Sequence, residues 1–220
     1  MVVITEASWD RVRVDIGEPA SVVLSTSTRA VLRALAGTTQ PLTGRDVARV
    51  SSLSQNGAHK VLVQLVEHGL VQAEPAGRAL LYTLRRQHLL VEPLLEILNA
   101  RERLVARLAT AVREWQVAPV HVSVFGSAAR GDGGVSSDID VLVVRPDGID
   151  MDHPGWRQQL DAVGAVVHEW TGNRLSWLEF GTEEVSDAIS GGEAIVAEWR
   201  RDSIALAGEP VDELLREARR

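Results

Sequence analysis

The 220-residue chain has no cysteine, and aromatic residues other than tryptophan are scarce: one tyrosine and two phenylalanines. The absence of cysteine excludes disulfide frameworks, thiolate zinc sites and cysteine nucleophiles, so any metal must sit on oxygen or imidazole. No apolar run approaches the roughly 18 residues of a membrane span. The first residues lack the basic, apolar, small-residue order of a secretion signal. A cytoplasmic protein with no membrane partner is therefore expected. Internal repeats and low-complexity tracts are also missing from the sequence.

Hydrophobic residues make up 45% and charged residues 24%, a composition that folds rather than stays disordered. The net charge of -7 is unevenly spread: positions 21–90 hold eight basic and three acidic residues, whereas 121–220 hold nine and nineteen. A basic front half suits phosphate backbones and an acidic rear half suits bound cations. The six tryptophans (Trp9, Trp115, Trp156, Trp170, Trp177, Trp199) read as packing anchors.

Apolar spacing organises the chain. Val12, Val14 and Ile16 alternate with polar residues, which predicts a short strand or extended arm ending at Pro19. Val31, Leu32, Leu35 and Ala36 predict a helix capped by Ser27 or Thr28 and stopped by Gly37. Thr43 precedes Asp46 by three residues and opens a second helix; Ser54 opens a third with a stripe of Ala58, Val61, Leu62, Leu65 and Val66. Leu70–Ala73 and Leu80–Leu84 predict a hairpin around Glu74–Arg78. The segment 88–117 predicts one long linker helix with a possible break near Pro93. Beyond Pro119, strands are predicted through Val120–Phe125, Ser137–Val144 and Arg174–Phe180, with helices between them and a mostly helical remainder.

Two features after position 124 carry chemistry. Gly126-Ser127 ends a strand and opens a small-residue helix, where backbone N–H groups and a hydroxyl can approach a phosphate. Asp138 and Asp140 stand two apart at the next strand, so the period of two turns both carboxylates to one side. Two acids there repel unless a cation lies between them, and Mg2+ takes a few carboxylates plus phosphate oxygens. Asp132, in a glycine-rich loop, reads as a turn residue, and Arg130 reads either as a phosphate contact or as a surface ion pair.

The order Gly126-Ser127, Ala129-Arg130-Gly131, Ser137-Asp138-Ile139-Asp140 followed by an apolar strand resembles the nucleotidyltransferase superfamily that includes DNA polymerase beta, in its minimal bacterial branch. The resemblance implies that Gly126, Ser127 and Arg130 hold the nucleotide. It also implies that Asp138 and Asp140 are the catalytic acids, binding Mg2+ (or Mn2+), and that an acceptor hydroxyl receives a nucleoside monophosphate from a triphosphate, expected to be ATP. Active members carry a third acid on a later strand, which falls here at Ser176 or Leu178, neither of them acidic. Glu179 alternates to the other face and is a weak substitute; His153, His168 and Glu169 are the other candidates for a base.

The stretches Leu42–Ala48, Ser54–Leu62 and Leu65–Val71 resemble bacterial winged-helix regulators of the MarR/ArsR-like kind. That register places Gln55, Asn56, His59 and Lys60 on the outward face of the third helix, toward base edges and phosphates of double-stranded DNA. Arg78 at the wing tip, followed by Arg85 and Arg86, is expected to meet the DNA backbone.

The whole predicts an α+β chain: an arm over 1–20, a winged helix-turn-helix over 21–87, a linker helix over 88–117, and a nucleotidyltransferase fold with a small mixed sheet flanked by helices over 118–220. The linker helix is the expected place for a homodimer contact. Two functions follow: nucleotidyl transfer targeted or regulated by a DNA-binding module, or transcription regulation in which the rear domain senses nucleotide. A third reading, an antitoxin-linked modifier, rests on analogy.

Overall fold

Three hydroxyl side chains start three helices by the same chemistry. Ser25 accepts the Thr28 N–H ahead of α1 (Thr26–Ala36), Thr43 that of Asp46 ahead of α2 (Gly44–Val50), and Ser54 that of Gly57 ahead of α3 (Gln55–Glu67). Each satisfies a first-turn donor that the helix itself leaves orphaned. The computed structural model describes residues 13–217. Within them Pro19–Ala100 form one compact unit, and the residues before Pro19 join Arg101 onward in the other.

In the first unit, α1 to α3 bury Val31, Leu32, Leu35, Val47, Ala58 and Leu62 against a sheet ordered β1-β3-β2, in which β1 is Leu42–Thr43, β2 Val71–Ala76 and β3 Ala79–Leu84. The hairpin is longer than its sequence suggests. Pro75 pairs with Leu80 and Ala76 with Ala79, so Gly77-Arg78 alone makes the turn, with Gly77 at φ 62°. The two-residue β1, antiparallel to β3 through Leu42 and Tyr82, has no signature of its own in the sequence.

The expected linker helix is two helices. α4 (Val91–Leu98) puts Val91 and Leu98 into the first core, while α5 (Ala100–Arg113) puts Leu108 and Val112 into a core of the second unit. The break falls at Asn99, not at Pro93, which sits in the first turn of α4 where its missing N–H costs nothing. The segment expected to mediate self-association is thus shared between two cores. Arg13–Ile16 is not strand, although Ile16 is buried in the second unit; Val12 and Trp9 lie outside the described residues.

The second unit is built on a mixed sheet ordered β6-β5-β4-β7, where β4 is His121–Val124, β5 Ile139–Val144, β6 Leu175–Phe180 and β7 Ile204–Gly208. β5 and β6 are parallel, joined through α7 (Pro154–Thr171); the other pairs are antiparallel. The remainder predicted to be helical contains α8 (Thr182–Ser190), α9 (Ala194–Asp202) and α10 (Val211–Glu217), but also the edge strand β7. Side-chain alternation splits the sheet into two apolar faces. Val122, Val124, Ile139, Val141 and Val143 pack with α5 and α7, and Leu142 and Val144 pack with α8, α9 and α10. Four of the tryptophans pack as expected: Trp115 lies 5.6 Å from Trp156 and 5.8 Å from Trp177, and Phe180 stacks edge-on to Trp199.

Candidate functional site

The site forms where β4 ends and β5 begins. The Phe125 N–H donates to the Asp140 carbonyl (3.0 Å), which brings the start of α6 (Gly126–Arg130) beside the first residues of β5. Gly126 has φ 65°, which favours glycine, and a Cβ there would crowd the Asp140 carboxylate at 3.1 Å from Oδ2. No side chain caps the first turn of α6. The 131–134 loop folds back over Ser127: its carbonyl accepts from the Gly131 and Asp132 N–H groups, and a Cβ on Gly133 would come within 3.0 Å of its hydroxyl.

Asp138 stands just before β5 and Asp140 within it, both in the alternation of Leu142 and Val144. The two carboxylates therefore share the sheet face that packs with α8 and α9. Burial, then the charge of Asp138, then that of Glu198 on α9 push the Asp140 carboxyl above the ordinary carboxylate range. Glu198 has no counterpart in the sequence reading; it lies 58 positions from Asp140 and carries no local motif. Among the described residues no three acids or imidazoles are grouped tightly enough to hold a metal by themselves.

The third strand resolves the alternatives for a further acid. In the parallel pairing Asp140 lies opposite Ser176, so the position next to the aspartates holds an exposed hydroxyl, while Leu178 packs into the core. Glu179 is on the other face and is fully engaged. Arg145 Nε lies 2.7 Å from Oε1, Arg157 Nη1 donates to Oε2 (2.9 Å), and Trp156 Nε1 donates to Oε1 (2.8 Å). It is an anchor for the 145–157 segment and does not substitute for the missing acid. His168 and Glu169 belong to α7 and His153 immediately precedes it, on the sheet face opposite the aspartates. His153 serves as N-cap, its Nδ1 accepting the Trp156 N–H, and none of the three reaches the site.

Arg130 takes the ion-pair alternative. Its Nε donates to Asp132 (3.0 Å) and its Nη1 to Asp202 (2.7 Å), clasping α6 to α9. Asp202, bonded also by Arg201, is held down to about 2. Asp132 thus has a partner as well as a turn position.

In the other unit, Gln55, Asn56, His59 and Lys60 are all exposed on α3, and Arg78 is exposed in the two-residue turn. A groove of about 550 Å³ lies between Gln55 and Arg78, lined also by Arg45 and Tyr82; Asn56, His59 and Lys60 lie outside it. Arg45, in the first turn of α2, joins the basic lining and was not singled out by its sequence context. Arg86 is not free for a phosphate, because its Nη2 donates to the Ala36 and Thr38 carbonyls at the end of α1.

Residues 28–75 match the family model of the IclR helix-turn-helix domain, and residues 105–188 match that of the nucleotidyltransferase domain. No curated protein matches the chain. Among the solved structures similar to parts of it are the following three. One is human N-acetylserotonin methyltransferase in complex with SAM (23% identity over 43% of this chain and 30% of that one, TM-score 0.28). A second is a toxin-antitoxin with AMP-PNP (14% identity over 53% of this chain and 82% of that one, TM-score 0.35). The third is a Sulfolobus solfataricus protein described as a nucleotidyltransferase (19% identity over 49% of this chain and 82% of that one, TM-score 0.29). The two family matches fall on the two units described above, and the chain joins a helix-turn-helix domain of the IclR type to a nucleotidyltransferase domain.

Proposed function

We propose that the C-terminal unit binds a nucleoside triphosphate, ATP in the first instance, together with Mg2+ or Mn2+, and transfers its nucleoside monophosphate to a hydroxyl acceptor, while the N-terminal unit binds double-stranded DNA. One observation carries the reading: Asp138 and Asp140 share a face directly beside the Gly126-Ser127 turn. The donor set fits a hard cation. Burial first, and then the charges of Asp138 and Glu198, push the Asp140 carboxyl above the ordinary range, and a cation between the two aspartates would relieve that repulsion. Two carboxylates suit Mg2+, which draws its remaining ligands from phosphate oxygens and water.

A cation held there supplies charge neutralisation for the triphosphate and polarises its α-phosphate. The chain's own residues do the rest. Ser127 and the uncapped first turn of α6 hold phosphate oxygens, and Gly126 lets the backbone approach them. The acceptor hydroxyl oxygen bonds to the α-phosphorus as the bond from that phosphorus to the bridging oxygen breaks; pyrophosphate leaves and the hydroxyl proton passes to solvent. A second reading, a nucleotide sensor without transfer, is favoured by Ser176, an exposed hydroxyl where active enzymes place an acid.

The two readings separate on incubation with labelled ATP, GTP, CTP and UTP in Mg2+, comparing wild type with Asp138→Asn and Asp140→Asn. Label transfer lost in both variants supports the enzyme. Thermal stabilisation by Mg2+ and triphosphate, lost in both variants but without transfer, supports the sensor. If triphosphate neither labels nor stabilises the protein, both readings fall. For the DNA half, Lys60→Ala is expected to weaken binding to duplex DNA and to reduce the slope of log affinity against log salt by about one; an unchanged slope removes Lys60 from the interface.

A further inference from the structure

Of the described residues, 13–18 belong to the C-terminal unit although the helix-turn-helix unit separates them from it in sequence. Asn173, completely buried, is the staple. Its Oδ1 accepts the Val14 N–H (3.0 Å), and its Nδ2 donates both to the Val14 carbonyl (3.1 Å) and to the carbonyl of Ser137 (3.0 Å), the residue before Asp138. Further along, Gly17 lies against the 131–134 loop so closely that a Cβ would stand 2.5 Å from the Gly133 carbonyl. Ile16 between them is buried. The arm is therefore fixed to the loop that leads into Asp138 and β5, and it presents Arg13 to Asp138: Nη1 donates to the Ser136 carbonyl (3.1 Å) and lies 3.4 Å from Asp138 Oδ1.

A guanidinium in that place shares the carboxylate that a divalent cation would bind. Alone, the cation meets a fixed positive charge a few ångströms away and loses affinity. With a triphosphate, whose negative charge exceeds that of the cation, the same guanidinium is attracted to the complex. We propose that Arg13 is a positioning residue that makes cation binding conditional on the polyphosphate, opposing the bare cation at Asp138 and holding the cation–triphosphate pair. The inference rests on the nucleotide-binding reading above and adds to it a residue from the far end of the chain.

The full-length protein is titrated with Mn2+ alone, followed by electron paramagnetic resonance, and with Mn2+ plus an ATP analogue whose α,β-bridge cannot be cleaved, followed by calorimetry. Arg13→Gln is expected to bind Mn2+ alone about tenfold tighter and the analogue about tenfold weaker, each step being one decade in Kd. Arg13→Lys, which keeps the charge, is expected to retain most of both wild-type values. General loosening of the arm would weaken both affinities together, so a parallel fall, or no change in either, overturns the proposal. Asp138→Asn separates the two levels. If it leaves Mn2+ binding untouched, the metal reading fails and this inference with it. If it removes Mn2+ binding while Arg13→Gln changes nothing, the metal reading stands and Arg13 has no part in it.

Discussion

The two faces of the C-terminal sheet treat their acids in opposite ways. On the α7 face Glu179 sits between two guanidiniums and an indole N–H, so the charge that burial strips of water is matched by two cations and each carboxylate oxygen accepts a hydrogen bond. On the α9 face Asp140 is surrounded by further carboxylates, Asp138 and Glu198, and burial without a matching cation lifts its proton affinity. A buried acid with arginines built around it holds the fold together. A partly buried acid among other acids, with a single guanidinium at the edge of the group on Asp138, keeps a raised proton affinity instead.

The sharpest way to break this comparison is Glu179→Ala. Arg145, 12% exposed, would lose its closest anion and Trp156 Nε1 its acceptor, so a loss of about 3 kcal/mol is expected, the size for one deleted partner of a buried pair. Urea denaturation measures it, and Mn2+ affinity is expected to be unchanged. A variant of normal stability with altered metal binding would reverse the assignment of the two faces. Next in size is Ser176→Asp. In register with Asp140 and exposed, the new carboxylate is expected to tighten Mn2+ binding by about 1.4 kcal/mol, or tenfold; no gain in a calorimetric titration would place the metal elsewhere.

The smallest effect comes from Asp202, an acid of the first kind located on the second face. Hydrogen bonds from Arg201 and Arg130 hold its carboxyl down to about 2. A depressed folded value stabilises the protein above the ordinary 3.8, and that contribution is lost as pH falls through about 2. Asp202→Asn is therefore expected to melt slightly below wild type at pH 6, with the gap closing between pH 4 and 2. A gap independent of pH would mean that the Arg130 clasp matters for its shape rather than its charge.

Much of the helix-turn-helix unit was legible because its signals are local. Ser54 and Thr43 cap the helices they precede, and the stripe of Ala58, Leu62 and Leu65 repeats within one helix. The Gly126-Ser127 and Asp138-Asp140 pairs were legible for the same reason, each needing one strand end and a short spacing. The edge strand β7 was not, since its Ile204 and Ala205 pair with Val124 and Ser123 some 80 positions earlier, and nothing in its five residues records a partner. The single linker helix was also misjudged: apolar spacing runs through Asn99, and the division of its two halves between separate cores leaves no mark on that period.

By itself the sequence determined what depends on neighbours along the chain: the caps at Thr43 and Ser54, though not the first, which is Ser25 and not Ser27 or Thr28, the turn that favours glycine at 126, and the pair of aspartates two residues apart. Tertiary structure alone decided which of the other charged groups attend them. It assigned Glu179 to two arginines, Arg130 to Asp202, and Arg13 to Asp138 across 125 positions. The reason is range: a cap or a period is closed within a few residues, whereas a charge selects its partner only after folding has fixed the distance and the solvent between them.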